Sequence, residues 1–364
     1  MNTYAIIMAG GRGERFWPLS RASRPKQFVS LFGGTPLIAQ AAARLDGFLP
    51  PENIIVITSA DLMGQTREAL PYLPSANIIG EPFGRDTAAA CATATALVEK
   101  LSGENAVAII LTADQLIGDV PVFQKTLRDA SEIAANSESI AVIGIKPDYP
   151  ATGFGYIEIE DDKKAGSETR PALSRVLRFV EKPSLETAEE YVASGRFFWN
   201  SGMFVWSART LKNALREFRP QLLETYERLL PKFGGADFDA ALLAEYESLE
   251  KISIDYAVME RHRDIVMARC EFAWDDVGTW ASAARHLDGD DAANATAGLA
   301  ELLRSSGNTV VNTEDGHLLA LMDADDLVVV HTKDATLVCP KSSAQKLKDL
   351  VQQLGKNTET KRFV

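Results

Sequence analysis

Residues 4–28 read YAIIMAGGRGERFWPLSRASRPKQF, an apolar run followed by a glycine turn and a basic loop. YAIIMA (4–9) is an unbroken apolar run of strand length, closed by Gly10, Gly11 and Gly13. A run that is apolar on both faces belongs inside a covered sheet. The glycines predict a tight turn at its carboxyl end. The loop beyond the turn is rich in Arg, Ser and Pro.

The same unit recurs downstream. Thr35 and Pro36 read as N-cap and first position of a helix over 37–45. IIVIT (54–58) is a strand, with a helix starting near Ala60. A helix spans 87–101, capped by Asp86 or Thr87, and its many alanines permit close packing. VAIIL (107–111) is a strand that runs into Thr112, Ala113 and Asp114; a helix over 121–136 and the strand IAVIGI (140–145) follow. Apolar strands alternating with helices imply a mostly parallel sheet with helices on both faces.

The middle is less regular. Strands are expected at 154–159, 173–180, 202–207 and 265–267, with helices at 184–195, 208–217, 219–230 and 238–247. The polar insert DDKKAGSETRP (161–171) reads as a solvated hairpin or loop. After about residue 290 the short Val- and Leu-rich strands 309–312, 318–322, 327–331 and 336–338 have no helices between them. They predict a small all-β domain, closed by a helix near 342–354. The tail TETKRFV reads as frayed.

Composition narrows the function. A chain of 364 residues suggests two domains, and 46% hydrophobic with 24% charged residues supports a sizeable core. Fifty acidic against 38 basic residues leave a net charge of −12, which argues against a broad nucleic-acid or anionic-membrane surface. The first 40 residues run the other way: Arg12, Arg15, Arg21, Arg24 and Lys26 face only Glu14. Three scattered cysteines, Cys91, Cys270 and Cys339, form no CxxC pair and point to a reducing, cytoplasmic setting. Four scattered histidines disfavour a histidine metal site. MNTYAIIMAGG is not read as a signal peptide, and no run of about 20 apolar residues is present to span a membrane.

The glycine turn is neither a dinucleotide fingerprint nor a P-loop, because RFWP replaces the helical continuation and no GK[ST] follows. It does offer backbone N–H groups beside Arg12, Arg15 and Lys26, a combination suited to a polyphosphate bound across a loop. Asp114, at the carboxyl end of a buried strand, stands at the edge where α/β sheets bind ligands.

GGRGERFWPLSRASRPKQF resembles the signature of sugar-1-phosphate nucleotidyltransferases, and its WPLSR…RPKQF form is similar to that of mannose-1-phosphate guanylyltransferases. EPFGRDTAAA (81–90), LTADQLI (111–117), TGFGYIE (152–158), FVEKP (179–183), FFWNSGMFVW (197–206), ISIDYAVME (252–260) and WDDVGTW (274–280) agree in order along the whole chain. The resemblance implies an α/β fold with a Rossmann-like (GT-A-like) mixed sheet flanked by helices over 1–288. It also implies a small C-terminal β-helical domain with a terminal helix over 289–364, and self-association as a homodimer. The implied reaction is GTP plus mannose 1-phosphate giving GDP-mannose and diphosphate.

Residue by residue, the resemblance makes Arg15 the catalytic arginine and Lys26 the phosphate lysine. Asp114 and Asp276 become ligands of Mg²⁺ or another divalent cation, with Asp275 as the competing inward carboxylate. Ala9, Gly10, Gly11, Arg12, Gly13, Gly84, Asp86 and Thr87 are placed at the nucleotide. Gly155 allows close backbone approach to the hexose, Glu181 and Asn200 meet its hydroxyls, and Lys182 meets its phosphate. Trp199 and Phe204 read as core. Two positions depart from the family pattern. Asp86 stands for an asparagine; ionised, it can accept from guanine N1–H and the exocyclic amine. Gln115 stands for a histidine and does not titrate. Another hexose-1-phosphate nucleotidylyltransferase, and a non-catalytic subunit that binds GDP-mannose, are the alternative readings of the same residues.

Overall fold

The computed structural model describes residues 2–160 and 173–364; the polar insert 161–171 lies outside the described residues. The chain divides into two compact units that are not consecutive segments. One comprises residues 1–10, 41–112 and 117–274, and the other residues 11–40, 113–116 and 275–364.

The first unit is built on a nine-stranded sheet. Its strands are β1 (Thr3–Ala9), β2 (Ile54–Ser59), β3 (Ile78–Glu81), β4 (Val107–Thr112), β5 (Ile140–Ile145), β6 (Gly155–Ile159), β7 (Leu173–Glu181), β8 (Phe197–Ser207) and β9 (Ile265–Arg269). Their spatial order is β3-β2-β1-β4-β8-β5-β9-β7-β6. The half β3-β2-β1-β4 is parallel, as the strand–helix alternation predicts. The other half is mixed, because β8 runs antiparallel to both β4 and β5 while β9 runs parallel to β5. β8 begins five residues before the stretch read as strand, since FFWNS is aromatic and polar by turns rather than uniformly apolar. β3 is too short to stand out in the sequence.

Local chemistry sets the elements that matter for function. The helix Thr87–Ser102 starts at Asp86, whose carboxylate accepts from the Thr87 N–H, and stops at Gly103 with φ of 80°. Its buried face is mostly alanine, which lets it lie close against the sheet. The pairing of β5 with β8 shifts register between Val142 and Gly144, and Gly144 then faces Asn200. Such bulges re-aim side chains. The Ser201 hydroxyl donates to the Ile143 carbonyl at 2.7 Å, satisfying the kinked backbone. Trp199 and Phe204 are buried as expected.

The second unit holds the β-helical segment. Strands Ala295–Ala297, Thr309–Asn312 and Leu327–His331 stack in parallel, as do Ala300–Leu303 and Leu319–Met322. Val310, Val311, Val328 and Val330 are fully buried, and Val311, Val328 and Val330 share a core with Phe16, Trp17 and Trp280. Asn308 is fully buried and fully used: its amide donates to Asn294 and Ala324, and its oxygen accepts from the Leu327 N–H. The tail is not frayed. Lys361–Phe363 forms a short helical turn, and the Phe363 carbonyl accepts from the Trp17 indole at 2.7 Å and from Arg21. Its polar composition conceals a backbone acceptor with two distant donors.

Candidate active site

The glycine turn, the loop after it and the residues that follow β4 form a cavity of about 350 Å³ in the second unit. Arg12, Arg15, Lys26 and Lys348 line it with Glu14, Asp114 and Asp276, so four cations stand against three carboxylates. Arg12 and Arg15 are exposed. Lys26 is only 4% exposed, and its ammonium donates to Asp114 Oδ2 at 3.1 Å and to the Asp276 carbonyl at 2.6 Å. Gly13 has φ of 61°, and a Cβ there would stand 2.3 Å from the Lys26 Cβ. This glycine is thus required by the packing of the buried lysine as well as by the turn.

The two adjacent aspartates have different employment. Asp275 is buried; its Oδ1 accepts from the Val277 N–H at 2.8 Å, and its Oδ2 meets His286 at 2.8 Å and Arg285 at 2.9 Å. Asp276 faces the cavity. Val277, which follows them, takes φ of 43°, a costly conformation for a β-branched residue, and is completely buried. Gly278 leaves room for the Asp276 carboxylate, since a Cβ there would lie 2.5 Å from Oδ2. Burial pushes the Asp276 carboxyl up to about 6, Lys26 opposes this, and Asp275 and Asp114 add to it. The Asp114 and Asp276 side chains line one cavity with the Lys26 ammonium, and carboxylate oxygens are the hard donors that a divalent cation takes. Among the described residues no group of three or more His, Cys, Asp or Glu is placed to hold a metal ion.

The remaining candidates lie in the first unit, apart from Gly11. Ala9 ends β1 buried, and Gly10 follows it exposed. A Cβ on Gly10 would stand 3.6 Å from Glu81 Oε2, an ordinary contact. Glu81, at the end of β3, is buried, accepts from the Tyr246 hydroxyl at 3.1 Å, and is pushed up to about 7 chiefly by burial. Gly84 is exposed with open space around it. Asp86 is exposed with φ of 66°, and its carboxylate is engaged by the helix it caps. The Thr87 hydroxyl accepts from the Ile254 N–H at 2.8 Å.

Gly155 and Glu181 are ladder partners on β6 and β7. A Cβ on Gly155 would stand 2.4 Å from Glu181 Oε2, so the glycine makes room for that carboxylate. Lys182, with φ of 48°, donates to Glu181 at 2.5 Å. The Asn200 amide donates to Asp255 Oδ1 at 2.7 Å, and its oxygen accepts from the Gly202 N–H at 3.0 Å.

Sequence reasoning missed Glu81, Asp255 and Lys348. The carboxylates lie inside quoted motifs, but their partners are distant: Tyr246 is 165 residues from Glu81, and Asn200 is 55 from Asp255. Lys348 is one of two lysines on the helix Leu347–Lys356, which was read only as a closing element, and periodicity does not say which of them lines a cavity.

Residues 4–288 match the nucleotidyl transferase family, and residues 305–354 match the MannoseP isomerase/GMP-like beta-helix domain. The chain is 36% identical over 355 residues to a mannose-1-phosphate guanylyltransferase of Klebsiella pneumoniae, covering 97% of this chain and 74% of that protein. It is 37% identical over 368 residues to that of Escherichia coli K12, covering 96% and 73%. A solved structure from Thermus thermophilus, described as a mannose-1-phosphate geranyltransferase, superposes with a TM-score of 0.85 at 34% identity, covering 97% of this chain and 99% of that one. The ordered motifs, the mixed sheet with its β-helical segment and these likenesses agree: the chain belongs to the mannose-1-phosphate guanylyltransferase family of nucleotidyltransferases.

Proposed function

We propose that the chain joins GTP and mannose 1-phosphate to give GDP-mannose and diphosphate. The observation that carries this reading is the cavity in which buried Lys26 ties Asp114 to the backbone of Asp276 beneath exposed Arg12 and Arg15. A phosphate oxygen of the sugar phosphate attacks the α-phosphorus; the new P–O bond forms as the bond to the bridging β-phosphate oxygen breaks, and diphosphate leaves. Arg15 and Lys26 stabilise the charge that gathers on the leaving group, with Arg12 on the outer phosphates. The backbones of Ala9, Gly10, Gly11 and Gly13 approach the nucleotide, and Gly84, Asp86 and Thr87 border its nucleoside end. Glu181, Asn200 and Gly155 receive the hexose, and Lys182 its phosphate.

Nucleotidyltransferases of this kind use a divalent metal, and Asp114 and Asp276 are the residues that would hold Mg²⁺ here. When bound, the ion neutralises phosphate charge that the side chains leave over. We assign residues 1–288 to the catalytic domain and 289–364 to the β-helix-like domain with its terminal helix. Leu303 and Met322, partners on parallel strands, are each more than half exposed, which supports a second copy of the chain as partner, read by sedimentation. Among the described residues no helix is long and apolar enough to cross a membrane, and the three cysteines are free, which supports a cytoplasmic setting.

The test crosses GTP, ATP, UTP and dTTP with mannose 1-phosphate and glucose 1-phosphate, following diphosphate release with Mg²⁺. Turnover restricted to GTP with mannose 1-phosphate is expected. Comparable turnover with ATP or UTP defeats the guanylyl reading. Binding of GDP-mannose with no diphosphate release identifies a regulatory subunit instead.

A further inference from the structure

Asp255 opens a five-residue π-helical turn, Asp255–Met259, a rare geometry that recurs at functional sites. It is half-buried, and the charged groups acting on it are Glu181, which disfavours its ionisation, and Lys182, which favours it. One of its oxygens takes a hydrogen of the Asn200 amide at 2.7 Å. The other end of that amide is also committed, because Asn200 Oδ1 accepts from the Gly202 N–H at 3.0 Å. An asparagine amide has two N–H donors. With the oxygen held and one hydrogen held, its orientation is set and a single directed N–H remains.

The segment leading into Asp255 is itself anchored. The Ile252 N–H donates to the Arg85 carbonyl at 3.3 Å, the Ala88 N–H donates to the Ile252 carbonyl at 3.2 Å, and the Ile254 N–H donates to the Thr87 hydroxyl at 2.8 Å. Three hydrogen bonds therefore fasten residues 252–254 to the turn Arg85–Ala88. Asp255 emerges from a braced segment, and so its carboxylate is a fixed reference for Asn200 rather than a mobile surface charge.

We propose that Asp255 is a positioning residue for the hexose phosphate, acting through Asn200: it fixes the amide so that one N–H points at a sugar hydroxyl. This rests on the reading of Asn200 as a sugar contact given under Proposed function. Asp255 itself need not touch the substrate.

The experiment measures KM for mannose 1-phosphate, KM for GTP and kcat in the full chain for wild type, Asp255→Ala, Asp255→Asn, Asn200→Ala and the double alanine variant. Losing one aligned hydrogen bond costs roughly tenfold. Asp255→Ala is expected to raise the sugar-phosphate KM about tenfold and leave the GTP KM within about twofold. Asp255→Asn keeps an acceptor at the same place and is expected to stay within about threefold of wild type. In the Asn200→Ala background, Asp255→Ala is expected to add nothing, because the residue it positions is gone. Asp255→Ser, too short to reach Asn200, carries the same expectation if the alanine variant does not fold. The proposal is overturned by an unchanged sugar-phosphate KM, by a GTP KM that rises in step, or by effects that multiply in the double variant. A wild type inactive on mannose 1-phosphate refutes the substrate reading instead, and the same cycle is then read on the hexose 1-phosphate that it does use.

Discussion

The cation-lined cavity and the carboxylate cluster around Asn200 treat charge in opposite ways. In the cavity the cations Arg12, Arg15 and Lys348 stand at the surface, Lys26 is buried and paired with Asp114, and burial pushes the Asp276 carboxyl up. Around Asn200 the charge sits on strand ends and a π-turn, where burial and the nearby Glu181 disfavour the ionisation of half-buried Asp255. Exposed cations are solvated and cost the fold little. Enclosed carboxylates weaken it unless something repays them. The first arrangement suits a ligand that brings its own high charge, and the second suits a neutral polyol that offers hydroxyl donors. Stability and activity should therefore respond to mutation differently in the two regions.

The largest effect is expected in the cavity. Asp276→Asn keeps the shape and removes the charge, and Arg15→Ala removes a donor from the developing phosphate charge. Each should lower kcat by about 10²- to 10³-fold. Arg15→Ala should leave the thermal midpoint near wild type, whereas Asp276→Asn, which removes a carboxyl that burial pushes up to about 6, should raise it at about pH 7.5. The aspartate variant should also require more Mg²⁺, read by metal titration of initial rates. A metal titration unchanged from wild type would remove Asp276 from the metal reading, and Asp275 is too fully engaged to replace it without releasing His286 and Arg285.

The acidic cluster should show its cost in the pH dependence of stability. Burial, with Glu181, pushes the Asp255 carboxyl from 3.8 to about 6. The folded state then holds a proton that the unfolded chain releases, so this contribution is full below about pH 4 and is lost as pH rises toward about 6. The loss is on the order of 3 kcal/mol. Asp255→Asn, which cannot ionise, should be more stable than wild type at about pH 7.5 by up to about that amount, and its denaturation midpoint should fall less between about pH 4 and 6. Equal stabilities at that pH would mean that the cluster is repaid within the fold and that the contrast with the cavity is false.

Glycines sharpen the contrast at a third level. A methyl at Gly13 meets the Lys26 Cβ at a positive φ, where neither partner can yield cheaply; a methyl at Gly155 clashes with the tip of Glu181 and makes an ordinary contact with the Asn200 Cβ. Gly155→Ala should therefore fold almost normally, while the displaced carboxylate raises the KM for mannose 1-phosphate about tenfold with the GTP KM unchanged. Proteolysis and steady-state kinetics on one preparation separate the two outcomes.

How much of this was legible beforehand follows from where each partner lies in the chain. IAVIGI at 140–145 is strand from end to end, because an unbroken apolar run between polar flanks has few alternatives. Arg15, Lys26, Asp114 and Asp276 were readable from ordered motifs, and the fold brings Lys26, Asp114 and Asp276 together although up to 250 residues separate them. The Asp275–Asp276 ambiguity needed coordinates, since Asp275 is told apart by its partners His286 and Arg285 and Asp276 by the cavity it lines, and the motif shows neither. The tail was misread because a backbone carbonyl has no sequence signature, and Trp17 lies 346 residues from Phe363. Asp255 was hidden for the same reason: the motif shows a carboxylate, but its partner Asn200 lies 55 residues away.

Lys348 tests how far the exposed-cation description extends. It stands on the helix Leu347–Lys356 and lines the cavity with Arg12 and Arg15. An exposed ammonium meeting a phosphate through water is worth little, about a factor of three in affinity. Lys348→Ala should raise the GTP KM about threefold at low salt, leave the mannose 1-phosphate KM and kcat near wild type, and lose most of its effect by about 0.3 M KCl. Lys348→Arg should restore the GTP KM, because charge rather than shape is what an exposed position supplies. A loss that persists at high salt, or that arginine fails to restore, would mean that Lys348 is held as closely as Lys26. The cavity would then share the enclosed character of the Asn200 cluster.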